Sequence, residues 1–121
     1  MQAFDTNQPI YIQIMDQIKI QIISGFLEPG TKMASVRDLA ASAGVNPNTM
    51  QRALSELERE GLLYTQRTNG RFVTDDQNII KQLRKELAKA QAERFLTTMK
   101  QMGHSKADLA SLLQEFMEEK K

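Results

Sequence analysis

The chain has 121 residues, a formal net charge of +1, 40% hydrophobic side chains, one histidine and no cysteine. That length suits one ordinary domain with a small appendage, and no apolar run nears the ~20 residues of a membrane span, so no membrane partner is expected. Without cysteine there is no disulfide, thiolate nucleophile or cysteine-based zinc site, His104 alone cannot build a multi-histidine metal centre, and Met1-Gln2-Ala3-Phe4-Asp5 lacks a basic-then-apolar leader, so a cytoplasmic location is expected.

Taken in chain order, the first periodic segment runs from Ile10 to Ser24, where Tyr11, Ile14, Met15, Ile18 and Ile22 share one face at helical spacing, with Pro9 suited to a first turn. Gly25 ends this helix, and Glu28-Pro29-Gly30 signals a turn. Ser35-Val36-Arg37-Asp38 has capping-box spacing and opens a short helix through Ala43. Gly44-Val45-Asn46 breaks it, and Asn46-Pro47 supplies the cap and first residue of a helix predicted over 47–60, with Met50, Ala53, Leu54 and Leu57 as its core stripe and Gly61 as its stop. Two short helices joined by a few residues make a helix-turn-helix pattern.

Leu62 to Gln66 and Arg71 to Thr74 then read as two short strands around Arg67-Thr68-Asn69-Gly70. Asn-Gly is a strong hairpin signal because both positions tolerate positive φ. Asp75-Asp76-Gln77 is the expected linker, with Asp76 a candidate cap. A long helix to about Met102 follows, marked by Ile80, Leu83, Leu87, Phe95 and Met99, although Gln91 interrupts the stripe. After a break at Gly103, Ser105 to Asp108 repeats the capping-box spacing, and Leu109, Leu112, Leu113 and Phe116 give a last helix an apolar face to about Glu119. Glu118-Glu119-Lys120-Lys121 reads as a solvated, fraying end. The predicted fold is mainly α with a small β-hairpin wing: a winged helix-turn-helix over 1–76 and a two-helix dimerisation region over 77–121.

Charge distribution does not by itself point to nucleic acid. Residues 1–76 hold seven basic and nine acidic side chains, a net of −2, so any DNA surface depends on where individual arginines point. Opposite the core stripe of the third helix lie Asn48, Arg52, Ser55 and Arg59. The N-terminal part of such a helix enters the major groove, which makes Asn48, Thr49, Gln51 and Arg52 candidate base or phosphate contacts. Arg52 suits guanine O6/N7, and Asn48 or Gln51 suits adenine N6/N7; a merely solvated face is the alternative. Arg37 stands in the first turn of its helix, where a cation gains nothing from the dipole. It calls for a phosphate, or for a surface pair with Asp38, Glu56 or Glu60. In the wing, Arg67 and Arg71 flank Asn69 and Gly70 at a hairpin tip suited to phosphate or minor-groove contact. His104 is a break residue without a catalytic role. No catalytic constellation, phosphate loop or dinucleotide glycine pattern is present, so neither an enzyme nor a cofactor is expected.

The stretches Pro9 to Ile14, Ile23-Ser24-Gly25, Leu27 to Gly30, Ser35 to Ala40, Gly44 to Thr49, Ala53 to Leu62 and Gly70 to Val73 together resemble, in order and spacing, the GntR family of bacterial regulators. Departures are Ala34-Ser35 for the family's Pro-Ser, Ala53-Leu54 for its Ala-Tyr, and Thr68 to Phe72 for its Gly-x-Gly-Thr-Phe wing. The resemblance implies a homodimer that represses transcription on a pseudo-palindromic double-stranded DNA operator, with Arg37, residues 46–52 and the wing around Gly70 facing it; Ser35, beside Arg37, is counted with the DNA-binding candidates. A tail of about 45 residues leaves no room for the large effector domain of most members and is similar to the short-tailed YtrA-type subgroup, whose two terminal helices chiefly dimerise. Leu83, Leu87, Phe95, Met99, Leu109, Leu112, Leu113 and Phe116 are then the dimerisation candidates, and Ile12 and Ile23 could receive part of the tail.

Two other readings remain open at this point. One is a winged-helix protein-interaction module, motivated by the acidic balance of the first 76 residues. The other is a ligand-gated regulator with an effector site between the tail helices, around Phe95, Met99, Met102, Phe116 and Met117; the effector itself is unknown.

Overall fold

The computed structural model describes Phe4 and residues 6–120; the expectations placed on the first residues and on Lys121 lie outside the described residues. The order is α1 (Ile10–Ile23), α2 (Val36–Ala43), α3 (Pro47–Arg59), β1 (Leu63–Gln66), β2 (Gly70–Val73), α4 (Gln77–Gln101) and α5 (Lys106–Glu119). It divides into two compact units, Met1–Arg84 and Lys85–Lys121.

In the first unit the predicted stripes meet. Ile14, Ile18 and Ile22 of α1 are buried with Met50, Ala53, Leu54 and Leu57 of α3, and α1 and α3 pack together. Met50, Ala53, Leu54 and Leu57 are wholly inaccessible, so truncating Leu54 to alanine should cost about 2–5 kcal/mol. Met15 of α1, Met33, Ala40 of α2, Leu62 and Leu63, Val73, and Ile80 and Leu83 of α4 are buried as well. Arg84 Nη2 donates to the Ile23 carbonyl at 2.9 Å, satisfying an orphan acceptor at the C-terminus of α1. Ile12 and Ile23 are themselves half-buried.

Local chemistry accounts for the helix ends. Ser35 Oγ accepts from the Asp38 N–H at 3.1 Å, and α2 closes on Gly44 in the left-handed region (φ 69), where a Cβ would be strained. Asn46 Oδ1 accepts from the Asn48 N–H at 2.7 Å and Pro47 begins α3. Asp76 Oδ1 takes the N–H of Asn78 at 2.9 Å, as expected of a cap.

The strands pair antiparallel, Leu63 with Val73 through Gln66 with Gly70. The connection is one residue shorter than the expected Arg67-Thr68-Asn69-Gly70, because Gly70 already pairs with Gln66 as the first residue of β2. Among the described residues no non-glycine residue has positive φ, and the Asn69 N–H closes on the Gln66 carbonyl at 3.0 Å before Gly70 takes φ 106. The loop is therefore three residues long, with Gly70 alone in the strained region. Residues 31–33 add a short third rung, with the Met33 N–H on the Arg71 carbonyl at 2.8 Å and the Val73 N–H on Thr31 at 2.9 Å. This ties the turn before α2 to the wing.

In the second unit Ser105 and Asp108 form a full capping box at the start of α5. The Ser105 backbone N–H, then its hydroxyl, holds the Asp108 carboxyl below its usual pKa. Leu109 is buried. No described helix is long and apolar enough to cross a membrane.

Candidate nucleic-acid interface

Because Met50, Ala53, Leu54 and Leu57 face inward, the rest of α3 must face out. Asn48, Gln51 and Arg52 are exposed and Thr49 is half-buried, so the four helix candidates share one accessible end of the helix. Asn46 also lies there, but its side-chain oxygen is committed to capping. Gln51 Nε2 donates to Ser55 Oγ at 2.9 Å, which steadies the amide along the helix surface. Arg52 Cζ lies 3.9 Å from the centroid of the Tyr11 ring. Ile10, Tyr11, Asn48, Thr49 and Arg52 line one open hollow between the starts of α1 and α3.

Arg37 is exposed on α2, and the surface partners open to it are otherwise engaged or unpaired with it. Glu56 Oε1 holds Arg59 at 3.3 Å, Glu60 Oε1 holds Lys19 Nζ at 3.0 Å, and Asp38 forms no ion pair among the described residues. Arg37 itself has no ion-pair partner among them. Ser35, next to it, is spent on its cap.

Arg67 and Asn69 are exposed in the wing, with Asn69 Nδ2 donating to Gln66 Oε1 at 3.2 Å. Arg71 is placed differently. Its Nε donates to Glu58 Oε1 at 3.3 Å, its side chain is 19% exposed, and the Thr65 hydroxyl donates to the same carboxylate oxygen. It therefore ties the wing to α3. Lys32 was missed by sequence reasoning. A Cβ built on Gly70 would stand 3.0 Å from Lys32 Cε, so that lysine lies against the base of the wing. With Ser35, Val36, Thr65, Gly70 and Arg71 it lines a second hollow. Tyr11 was expected only as core. Nothing in the spacing of α1 reveals a guanidinium on its ring, because the partner arrives through docking of α3. Tyr64 and Phe72 stack across the hairpin with ring centroids 5.6 Å apart and stiffen it.

The tail candidates separate by burial. Leu83 is buried in the first unit, Leu109 in the second, and Leu87 and Met99 are half-buried. Phe95, Leu112, Leu113 and Phe116 are exposed, the last at 54%. Among the described residues no group of three or more histidines or carboxylates is placed to hold a metal ion.

The family model described as "Bacterial regulatory proteins, gntR family" matches residues 10–73. YhcF of Bacillus subtilis, an HTH-type transcriptional regulator, is 38% identical over 115 residues, covering 95% of each chain. The HTH-type transcriptional repressor YtrA of the same organism is 42% identical over 71 residues, covering 59% of this chain and 55% of YtrA. A solved GntR family transcriptional regulator from Listeria monocytogenes superposes with a TM-score of 0.85 at 39% identity, covering 93% of this chain and 98% of that one. On these matches, and with an accessible helix-turn-helix face beside a hairpin wing, the chain belongs to the GntR family of bacterial regulatory proteins, DNA-binding transcription regulators and not enzymes.

Proposed function

We propose that the chain is a homodimeric repressor in the bacterial cytoplasm that binds a pseudo-palindromic operator, with residues 1–76 reading DNA and residues 77–121 joining two copies. The observation that carries this is the end of α3: Asn48, Gln51 and Arg52 lie exposed over a core face that is wholly buried, which is the presentation a recognition helix needs in a major groove. Arg52 is assigned to guanine, Asn48 and Gln51 to adenine, and Arg37 and Arg67 to phosphates. The repressing sign is supported by the name that YtrA carries.

Dimerisation is supported by the second unit. Phe95, Leu96, Leu112, Leu113, Phe116 and Met117 are all more than a third exposed on its two helices, and a second copy is the simplest cover for such a surface. Half-sites are then centred about one helical turn apart, roughly 34–36 Å. Selection from a random duplex library tests the reading. A two-fold-symmetric motif is expected, and failure to enrich any duplex at low salt contradicts it, because phosphate binding strengthens there.

A further inference from the structure

We propose that Tyr11, on α1 and outside the helix-turn-helix, is a positioning residue that sets base preference through Arg52. The inference rests on the proposed role of Arg52 at a base edge. The guanidinium carbon lies 3.9 Å from the ring centroid, inside the range of a cation–π contact. The acid one turn further along α3 does not compete for it, since Glu56 is paired with Arg59 at 3.3 Å. No ion pair holds Arg52 among the described residues. The ring is thus the contact that fixes where this long side chain points.

That contact suits recognition. A guanidinium donates in its own plane, so lying against a ring leaves its N–H edges for a base. An arginine ordered before binding also loses less rotamer freedom on reaching DNA than a solvated one. The ring is itself fixed: Tyr11 precedes Ile14 and Met15 on the buried face of α1, and α1 packs on α3, so the docking that forms the core also sets ring and guanidinium together. Beside the pair, Asn48 and Thr49 line the same hollow.

The test compares the wild-type chain of 121 residues, Tyr11→Phe, Tyr11→Leu and Arg52→Ala on the selected operator and on duplexes altered one base pair at a time. Arg52→Ala is expected to relax preference at one base pair per half-site. Tyr11→Leu is expected to lose about tenfold on the operator, with preference flattened at that same base pair and retained at the others, while Tyr11→Phe stays within about twofold. Equal loss on every sequence for Tyr11→Leu, or a loss in Tyr11→Phe matching it, overturns the proposal. If Arg52→Ala leaves every preference intact, the base-reading role of Arg52 fails and the proposal with it; if Arg52→Ala relaxes preference but Tyr11→Leu does not, the role of Tyr11 alone fails. Should Tyr11→Leu fold poorly, the Arg52 side-chain protons of the free wild-type protein decide: upfield ring-current shifts support the contact, and random-coil positions overturn it.

Discussion

Arg71 Nε lies 3.3 Å from Glu58 Oε1, joining the second strand of the wing to the last turn of α3. Two consequences follow from this pair. The pair links the wing to α3, and it leaves Arg71 less free than Arg67 to meet the proposed DNA partner. Both partners are partly exposed, at 19% and 36%, so solvent screening keeps the pair weak. Urea unfolding should give a coupling of about 0.5–1 kcal/mol in a double-mutant cycle of Arg71→Ala and Glu58→Ala. A coupling of zero would leave the wing held by its backbone rungs, by Thr65 on Glu58 and by the buried Leu63 and Val73.

Arg37 has no ion-pair partner among the described residues, and a phosphate contact carries no sequence information. Arg37→Ala should therefore weaken binding about equally on all duplexes and reduce the slope of log affinity against log salt by about one. A loss confined to one base pair would make it a base reader instead.

The exposed apolar residues of α5 include Leu112 and Phe116. Both lie in the second unit and outside the core of the first, so Leu112→Asp with Phe116→Asp should leave the fold of the first unit intact. The variant is expected to sediment as a monomer and bind the operator far more weakly, because one half-site alone supplies part of the affinity. Unchanged dimerisation would move the interface elsewhere.

The α5 cap predicts a pH effect of known sign. Asp108 is held below its usual pKa by the Ser105 backbone N–H and hydroxyl, so its contribution is present above the ordinary carboxylate pKa and disappears as pH falls through the lowered value. Ser105→Ala should cost the tail about 1 kcal/mol and blunt this acid sensitivity, followed as helix content against pH.

How much of this was legible in the sequence depends on the range of the contact. Caps at Ser35, Asn46 and Ser105 could be read directly because donor and acceptor lie within a few residues. The core stripes of α1 and α3 were equally plain. The Asn69-Gly70 signal placed the hairpin but not its turn, since Asn69 tolerates positive φ without needing it. Partnerships made by docking could not be read: Tyr11 with Arg52, Glu58 with Arg71, and Arg84 with the end of α1, which lies 61 residues away in the chain. Leu83 shows the same limit. An apolar stripe reveals that a side chain requires cover, while its cover here comes from the first unit itself.

In the proposed assembly two copies read one operator through α3. Sedimentation of the protein with a duplex carrying one selected site counts the chains bound. Two chains per duplex are predicted, falling to none at high salt and to unoccupied duplex when Arg52, Asn48 and Gln51 are all replaced by alanine at moderate salt. One chain per intact symmetric site, or undiminished occupancy after those three replacements, would contradict it.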